Sequence, residues 1–306
     1  MSKIIRIGTR DSQLALWQAT RVKHLLKETG LDSEIVPIKS EGDLDLTTPL
    51  YAMGVQGIFT RSLDQAMLND QIDLAVHSMK DVPLRLPKGI VEAAVLERDS
   101  PFDLLVLREK TATAFINQHP PCTIASSSLR RKSQWLHRFP DDTIEPIRGN
   151  VNTRLKKLGE SKWAGAIFAA AGLERIGLRP VNAIELDWMI PAPAQGALLV
   201  VCRESDETLL RSCTKLNDER TAFCTKIERD FLSALMGGCS TPIGALAEIE
   251  NEEVYFRGNI SGRDGKRVLN IEKRISIELA ASLGISAAHE MLADGGIELI
   301  REIEHA

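Results

Sequence analysis

One pattern constrains this chain more than any other: a short apolar run, a polar turn, then an amphipathic helix, repeated. Residues 4–8 read as a strand, and Asp11 or Ser12 can cap a helix carrying Leu14, Trp17, Val22, Leu25 and Leu26. A second strand, 34–38, follows the stop at Gly30, and 58–68 has helical spacing. Residues 72–76 form a short apolar strand, as expected of a parallel sheet covered on both faces. The pattern restarts near Pro101, with strands at 104–107, 122–125, 143–147 and 166–170 and helices at 129–139 and 153–158. Strands alternating with helices dictate an α/β architecture.

Length sets the domain count. With 306 residues there is room for two domains or three small ones. Segment 192–202 is punctuated by prolines and then turns apolar, so the chain is expected to cross back to the first sheet there. That makes two lobes with a cleft between them. The last ninety residues differ. A helix at 220–236 precedes Gly237-Gly238-Cys239, and alternating runs follow at 243–249, 254–260 and 268–275. Asp264-Gly265 is a hairpin signal, and a final helix is expected over 277–292. This is a small α+β domain. The expected domains are 1–98 with 194–216, then 101–190, then 219–306.

Charge narrows the function. There are 38 Lys and Arg against 42 Asp and Glu, a net charge of −4, which excludes a generally basic nucleic-acid coat. The uncharged stretch 188–202 is about 15 residues long and holds two prolines, short of the roughly 20 apolar residues of a membrane span. The N-terminus interleaves charges with a short apolar run and does not read as a signal peptide. Five cysteines (122, 202, 213, 224, 239), odd in number and without a CxxC, argue against a disulfide framework and a structural zinc site. A cytoplasmic location and no metal are expected. The charge is uneven, however. Segment 121–180 holds eleven Lys and Arg and five Asp and Glu, so it carries +6 and the remainder −10. Such a lobe suits an acidic small molecule, unless it is simply a solvated surface.

The basic residues fall at strand-to-helix turns. Ser126-Ser127-Ser128 precedes the helix opening at Leu129, and free N–H groups with serine hydroxyls make an anion site. Arg130 and Arg131 sit in its first turn, where the helix dipole disfavours each by about 0.3–1 kcal/mol. This points to an anionic partner supplied from outside, unless an internal Asp or Glu provides it. Arg148-Gly149-Asn150-Val151-Asn152-Thr153-Arg154 repeats the theme, and Arg10 and Ser12 occupy the matching turn of the first lobe. Ligands of open α/β sheets bind at strand carboxyl ends. Arginine forks pair bidentately with carboxylates, so these turns imply a ligand bearing several.

Lys80 and Asp81 follow strand 72–76. A carboxylate there can shuttle protons or stabilise a cation, or merely cap a turn before Pro83. His77 cannot pair with adjacent Ser78 as a catalytic couple. Cys239, between glycines and a proline, is a reachable loop thiol, suited to attack or covalent attachment, or else a chance exposed cysteine. There is no GxGxxG, P-loop, HExxH or GxSxG, and Asp43 and Asp45 lack the rest of a calcium loop.

Taken in order, VHSMKDVP (76–83), SSLRR (127–131), RGNVNTRL (148–155), AAGLERIG (170–177) and GGCSTPIG (237–244) resemble the porphobilinogen deaminase (hydroxymethylbilane synthase) family, as do IGTRDSQLALWQA (7–19) and LERDSPFDLLV (96–106). The resemblance spans nearly the whole chain. It implies two lobes like a type II periplasmic-binding fold plus a third domain, in a monomeric cytosolic transferase of heme and porphyrin biosynthesis. It further implies head-to-tail condensation of four porphobilinogen molecules, with release of ammonia, to the linear tetrapyrrole 1-hydroxymethylbilane. The implied cofactor is a dipyrromethane joined by a thioether to Cys239. By the same resemblance Lys80, Ser128, Arg130, Arg131 and Asn150 hold the cofactor's carboxylates. Arg10, Ser12, Arg148, Arg154 and Arg175 hold substrate or the terminal ring, and Asp81 is the catalytic aspartate.

The chain also departs from the family. Its GKGxF loop reads Val55-Gln56-Gly57-Ile58-Phe59, without the lysine. Ala194 stands for a glycine in GQGA, and Val201 for a glutamate before Cys202-Arg203. These changes bear on loop closure more than on reaction type. A binding protein of the same fold would leave Asp81 and Cys239 without a role. A nucleic-acid binder would need interleaved aromatics, which the basic segment lacks.

Overall fold

The computed structural model describes residues 4–39, 60–108, 119–235 and 241–305. The first lobe begins with β1 (Ile5–Thr9), α1 (Gln13–Glu28), β2 (Ser33–Pro37), α2 (Arg61–Leu68), β3 (Leu74–Ser78) and β4 (Ile90–Val95). Ser12, not Asp11, caps α1: its extended backbone lets Oγ accept from the Ala15 amide at 3.3 Å. Ala15, Ala19, Val22 and Leu26 form the buried helical face.

The second lobe holds β5 (Asp103–Leu107), β6 (Thr123–Ala125), α3 (Leu129–Arg138), β7 (Thr143–Glu145), α4 (Val151–Glu160), β8 (Gly165–Ala169), α5 (Ala170–Glu174) and β9 (Ile184–Glu185). β7 stops two residues earlier than expected because Pro146 has no N–H to give the ladder. The chain then returns through β10 (Leu198–Arg203), whose pairing with β3 and β4 puts it inside the first sheet. The crossing back expected over 192–202 therefore takes place.

The strand orders are β2-β1-β3-β10-β4 and β7-β6-β8-β5-β9. Neither sheet is wholly parallel. β10 runs antiparallel to β3 and β4, and β5 runs antiparallel to β8 and β9. The reason is geometric. Each of these strands arrives directly from the other lobe and so enters its sheet from the far end. Matching order and matching antiparallel strand make this the two-lobed, type II periplasmic-binding arrangement. Apolar clusters cover both faces of the first sheet, around Ile7, Val22 and Leu74 on one side and Leu63, Ala75 and Val201 on the other. Val201 lies in that second cluster, where a charge would have needed a buried partner.

After β10, α6 (Glu207–Cys213) packs back on the first lobe through Leu209 and Cys213. The third unit then sets α7 (Glu219–Ala234) on an antiparallel sheet of β11 (Ile243–Glu250), β12 (Glu253–Ser261) and β13 (Val268–Ser276). Phe231 of α7 meets Phe256 of β12 edge-on at 5.1 Å, both fully buried. The β12–β13 turn contains the expected Asp264-Gly265, with Gly265 at φ +75°. A side chain there would strike the α3 backbone at Ser133 and His137. The final helix expected over 277–292 opens as a 3₁₀ turn (Ile277–Ser282) and continues as α8 (Leu283–Met291), and a further helix that was not expected, α9 (Ile297–His305), follows it. Asp294 leaves helical geometry and Gly295 takes φ +93°, so the rod kinks and restarts.

Two segments join the lobes, and the third unit clamps both. Arg98 in the first crossing donates through Nε to the Gln195 carbonyl of the second and forms a two-pronged pair with Glu228 of α7 at 2.6 and 3.1 Å. Glu228 also accepts from the amides of Ala194 and Ala247. Gly196 at φ +91° brings the crossings so close that a Cβ would lie 2.5 Å from the Asp99 carbonyl. Ala194, fully buried, is held at φ +61°. A left-handed alanine costs roughly 1–2 kcal/mol, and glycine relieves it at a backbone-entropy cost of roughly 0.5–1 kcal/mol. Ala194→Gly is therefore expected to stabilise by about 0.5 kcal/mol or more and raise the thermal midpoint by about 1–3 °C. A lower midpoint would show that the buried methyl outweighs the strain.

Candidate active site

Four turns converge from the two sheets. Thr9 of β1 leads to Arg10 and Ser12. β3 runs into a 3₁₀ turn, Met79–Asp81. β6 runs into Ser126-Ser127-Ser128, and β7 leads through Pro146 to Arg148 and the α4 N-terminus. All leave their strands at carboxyl ends. They also meet across the cleft. Asn152 of α4 donates to Gln13 of α1 at 2.8 Å. Lys80 of the first lobe lies within electrostatic reach of Arg130, Arg131 and Asp103 of the second, and Arg154 within reach of Asp81 and Arg10.

Asp103, at the start of β5 and fully buried, organises the second lobe's side. Its Oδ2 accepts from Arg130 Nη2 at 2.7 Å. Its Oδ1 accepts from Arg131 Nη2 at 2.6 Å and Gln195 Nε2 at 2.8 Å. Burial alone would raise this carboxyl, but the two guanidiniums outweigh it and hold it well below the usual carboxylate range. Arg130 Nη1 donates to the Ile190 carbonyl and Arg131 Nη1 to the Ile167 carbonyl. This corrects the inference drawn from the helix dipole: the anionic partner of the pair is internal. One carboxylate does not exhaust two guanidiniums, however. Nε of Arg130 and Nε of Arg131 are both buried and make no hydrogen bond among the described residues. A buried donor left open costs about 1–3 kcal/mol, and a ligand carboxylate removes that cost.

The opposite wall is the Lys80–Asp81 turn. Lys80 Nζ donates to Gln195 Oε1 at 3.1 Å, so Gln195 bridges this lysine and Asp103. Burial, together with Arg131 and Arg130, pushes the Lys80 ammonium down to about 8 against the opposing pull of Asp81 and Asp103. Asp81 is exposed. Its turn is held from behind by Arg229 of α7, which donates to the carbonyls of Met79, Val82 and Pro83 at 3.4, 3.1 and 2.8 Å. His77, buried in β3 and near Arg10, is pushed down to about 4 and is neutral at physiological pH.

The remaining expected residues divide. Arg154, half-buried, donates from Nε to the Gly149 carbonyl and is lowered to about 10 by burial and by Arg131, Arg148 and Arg10, with Asp81 opposing. It stays charged at neutral pH. Arg148 is buried beside it. Ser12, Ser128 and Asn150 are helix N-caps, each accepting from an amide of the first turn. Arg175 stands apart: it donates to Asp99 at 2.7 Å and to the Gly196 carbonyl at 2.6 Å, with its guanidinium 5.8 Å from the Trp17 ring. Those bonds tie the second lobe to the crossings. Cys239 and the departure at Gln56 lie outside the described residues. Asp103, Gln195 and Arg229 were not singled out from sequence. An acid opening an otherwise apolar strand was the signal for Asp103.

Counting the groups named, Arg10, Arg130, Arg131, Arg148, Arg154 and Lys80 face Asp81 and Asp103, an excess of four positive charges. Such a cluster suits a polyanion, and one exposed carboxylate, Asp81, stands beside it. A dipyrromethane, with an acetate and a propionate on each of two rings, carries four carboxylates. The residues present fit that group in charge and in their open Nε donors. No helix among the described residues is long and apolar enough to cross a membrane.

The family model described as "Porphobilinogen deaminase, dipyromethane cofactor binding domain" matches residues 5–211, and that described as "Porphobilinogen deaminase, C-terminal domain" matches 222–293. A curated porphobilinogen deaminase of a Nitratiruptor species is 40% identical over 305 residues, covering 98% of this chain and 97% of that protein. One of Campylobacter hominis is 39% identical over 306 residues, with 98% of each chain covered. Among solved structures, the Bordetella pertussis BvgS VFT2 domain is 11% identical with a TM-score of 0.42, covering 70% of this chain and 86% of that one. A Salmonella typhimurium periplasmic binding protein is 12% identical with a TM-score of 0.41, covering 72% and 94%. At those scores the architecture rests on strand order alone. The sequence matches run nearly end to end over the segments that build the cationic cleft, and on them the chain belongs to the porphobilinogen deaminase family.

Proposed function

We propose that hydroxymethylbilane synthesis, the reaction of this family, runs at the Asp81 turn. The observation that carries this reading is the excess of four positive charges around one exposed carboxylate, with two buried guanidiniums each offering an open Nε. Arg130 and Arg131 bind carboxylates of the dipyrromethane from the second lobe, and Lys80 binds one from the first. Each charged hydrogen bond contributes about 1.5–3 kcal/mol. Ser128 and Asn150 orient the amides of their helix N-termini toward the same group. The bound dipyrromethane, attached through Cys239, supplies the nucleophilic free α-carbon on which the chain is built.

Arg10, Ser12, Arg148 and Arg154 bind the acetate and propionate of incoming porphobilinogen. Arg175, although expected among them, fits better as the brace of the crossings. Loss of ammonia leaves the porphobilinogen unit cationic. Asp81 faces that charge without becoming a nucleophile. A unit pair at 4 Å and an effective dielectric near 20 contributes about 4 kcal/mol, roughly three decades of rate. Arg229, by fixing three carbonyls of the turn, sets where this carboxylate stands. The protein acts in the cytoplasm as a monomer, with 1–98 plus 194–216, 101–190 and 219–306 as its domains and no nucleic-acid partner.

The purified holoenzyme is expected to exceed its sequence mass by two pyrrole units and to colour with Ehrlich's reagent. Asp81→Asn is expected to keep both the mass and the fold while losing about three decades of turnover; near-normal product formation would overturn the role of Asp81. Arg229→Met is expected to lower kcat about tenfold or more with KM nearly unchanged, and Arg229→Lys to restore part of it. An effect confined to thermal stability would show that Arg229 does not position the turn.

A further inference from the structure

His119, Cys122 and Asp142 form a compact donor set on the second lobe. One ligand atom from each lies within 4.8 Å of the others. His119 Nε2 is 2.9 Å from Asp142 Oδ2, and Cys122 Sγ is 3.5 Å from the same oxygen. The set lies away from the cationic cleft. Cys122 leads into the amino end of β6 and Asp142 precedes β7, whereas the cleft turns leave the carboxyl ends of these strands. Nothing in the proposed reaction uses it.

Two features go beyond a chance cluster. The first is that Asp142 is pre-oriented. Its Oδ1 accepts from the Cys122 amide at 2.9 Å, and its Oδ2 accepts from the Trp135 indole at 2.8 Å. Such fixing of a carboxylate is what surrounds metal ligands. The second is crowding. Oδ2 faces three groups (imidazole, thiol and indole N–H), more than one carboxylate oxygen's two lone pairs serve. A cation between the imidazole nitrogen, the sulfur and Oδ2 resolves the crowding, leaving only the metal and the indole on that oxygen. Phe139, stacked on the His119 ring at 3.8 Å, and Trp188, 5.9 Å from Trp135, wall the site with apolar surface.

We infer that His119, Cys122 and Asp142 form a site for a borderline divalent cation, best matched by zinc, with a fourth position open to water. Sulfur, imidazole and carboxylate together disfavour calcium and magnesium, which take oxygen ligands. Zinc bonds of about 2.0–2.3 Å place neighbouring donors roughly 3.3–3.7 Å apart; the sulfur–carboxylate spacing of 3.5 Å already matches, and the imidazole moves out by a few tenths of an ångström from its 2.9 Å hydrogen bond. On binding, the thiol proton leaves to solvent and the sulfur–zinc bond replaces it, with no change of oxidation state. A nucleophilic triad is a poorer reading, because the carboxylate stands between thiol and imidazole and the imidazole nitrogen is turned to Asp142 Oδ2, not to the sulfur. The sequence expectation of no metal rested on the missing CxxC. This set is instead His119-x-x-Cys122 joined by Asp142 from a later loop.

The test uses the cofactor-loaded enzyme, in which the Cys239 sulfur is a thioether. Chelator-treated protein is titrated with zinc, and separately with cobalt(II). One equivalent of zinc is expected to bind, with a sulfur-to-cobalt charge-transfer band in the near ultraviolet and a higher thermal midpoint. Cys122→Ser is expected to remove the band, weaken zinc binding at least about 100-fold and leave turnover unchanged. His119→Gln is expected to weaken binding while keeping the band. Metal-free thermal midpoints near that of the parent establish that both variants fold. No stoichiometric uptake by the parent, or equal uptake by Cys122→Ser, would overturn the site.

Discussion

The architecture of the cleft depends on one buried carboxylate. Asp103 lies between two arginines that a helix N-terminus would otherwise repel, and it makes their burial tolerable. Truncating one side of such a pair typically costs about 3–5 kcal/mol, because it strands a buried charge. Its folded-state pKa lies below that of an unfolded aspartate, near 3.9. Its contribution to stability is therefore complete above that value and is lost only as pH falls through the lower folded one. The arrangement neutralises enough charge to fold yet leaves two Nε donors without a hydrogen bond among the described residues. A fully compensated pair would be a structural ion pair, and an uncompensated one would not stay buried.

Around that centre the three units are tied through the lobe crossings more than through their faces. Gln195 touches Lys80 on one side and Asp103 on the other. Glu228 grips the crossings from α7 through Arg98, and Arg175 grips them from the second lobe. The same helix supplies Arg229 to the Asp81 turn and leads toward Cys239. Any rotation between lobes must therefore work against hydrogen bonds centred on residues 194–196. Ala194, where the family has glycine, stiffens that point further.

Much of this was legible from sequence because local rules govern it. Period and turn chemistry placed the strands and the crossing back. Arginines at strand ends marked turns that the two sheets bring together. Other features were not legible because they depend on partners far along the chain. The reversed direction of β5 and β10 follows from the path between lobes, which no local pattern encodes. Asp103 is 27 and 28 residues from its arginines, so the helix dipole argument saw the cations and missed their counterion. Arg175 was grouped with Arg154 by the resemblance alone, and its bonds to Asp99 and Gly196 tie it to the crossings. The helix that restarts after the kink at Gly295 was not expected at all, and Arg229 carries no motif beyond being charged on a helix.

The claim that Asp103 holds Arg130 and Arg131 open for the carboxylates of the dipyrromethane is tested most directly by an isosteric change, Asp103→Asn, followed by the mass of the purified protein. The expected result is a folded chain of lowered thermal stability that carries the two-pyrrole adduct in only a small fraction of molecules. Full loading of Asp103→Asn at the parent's stability would contradict the account.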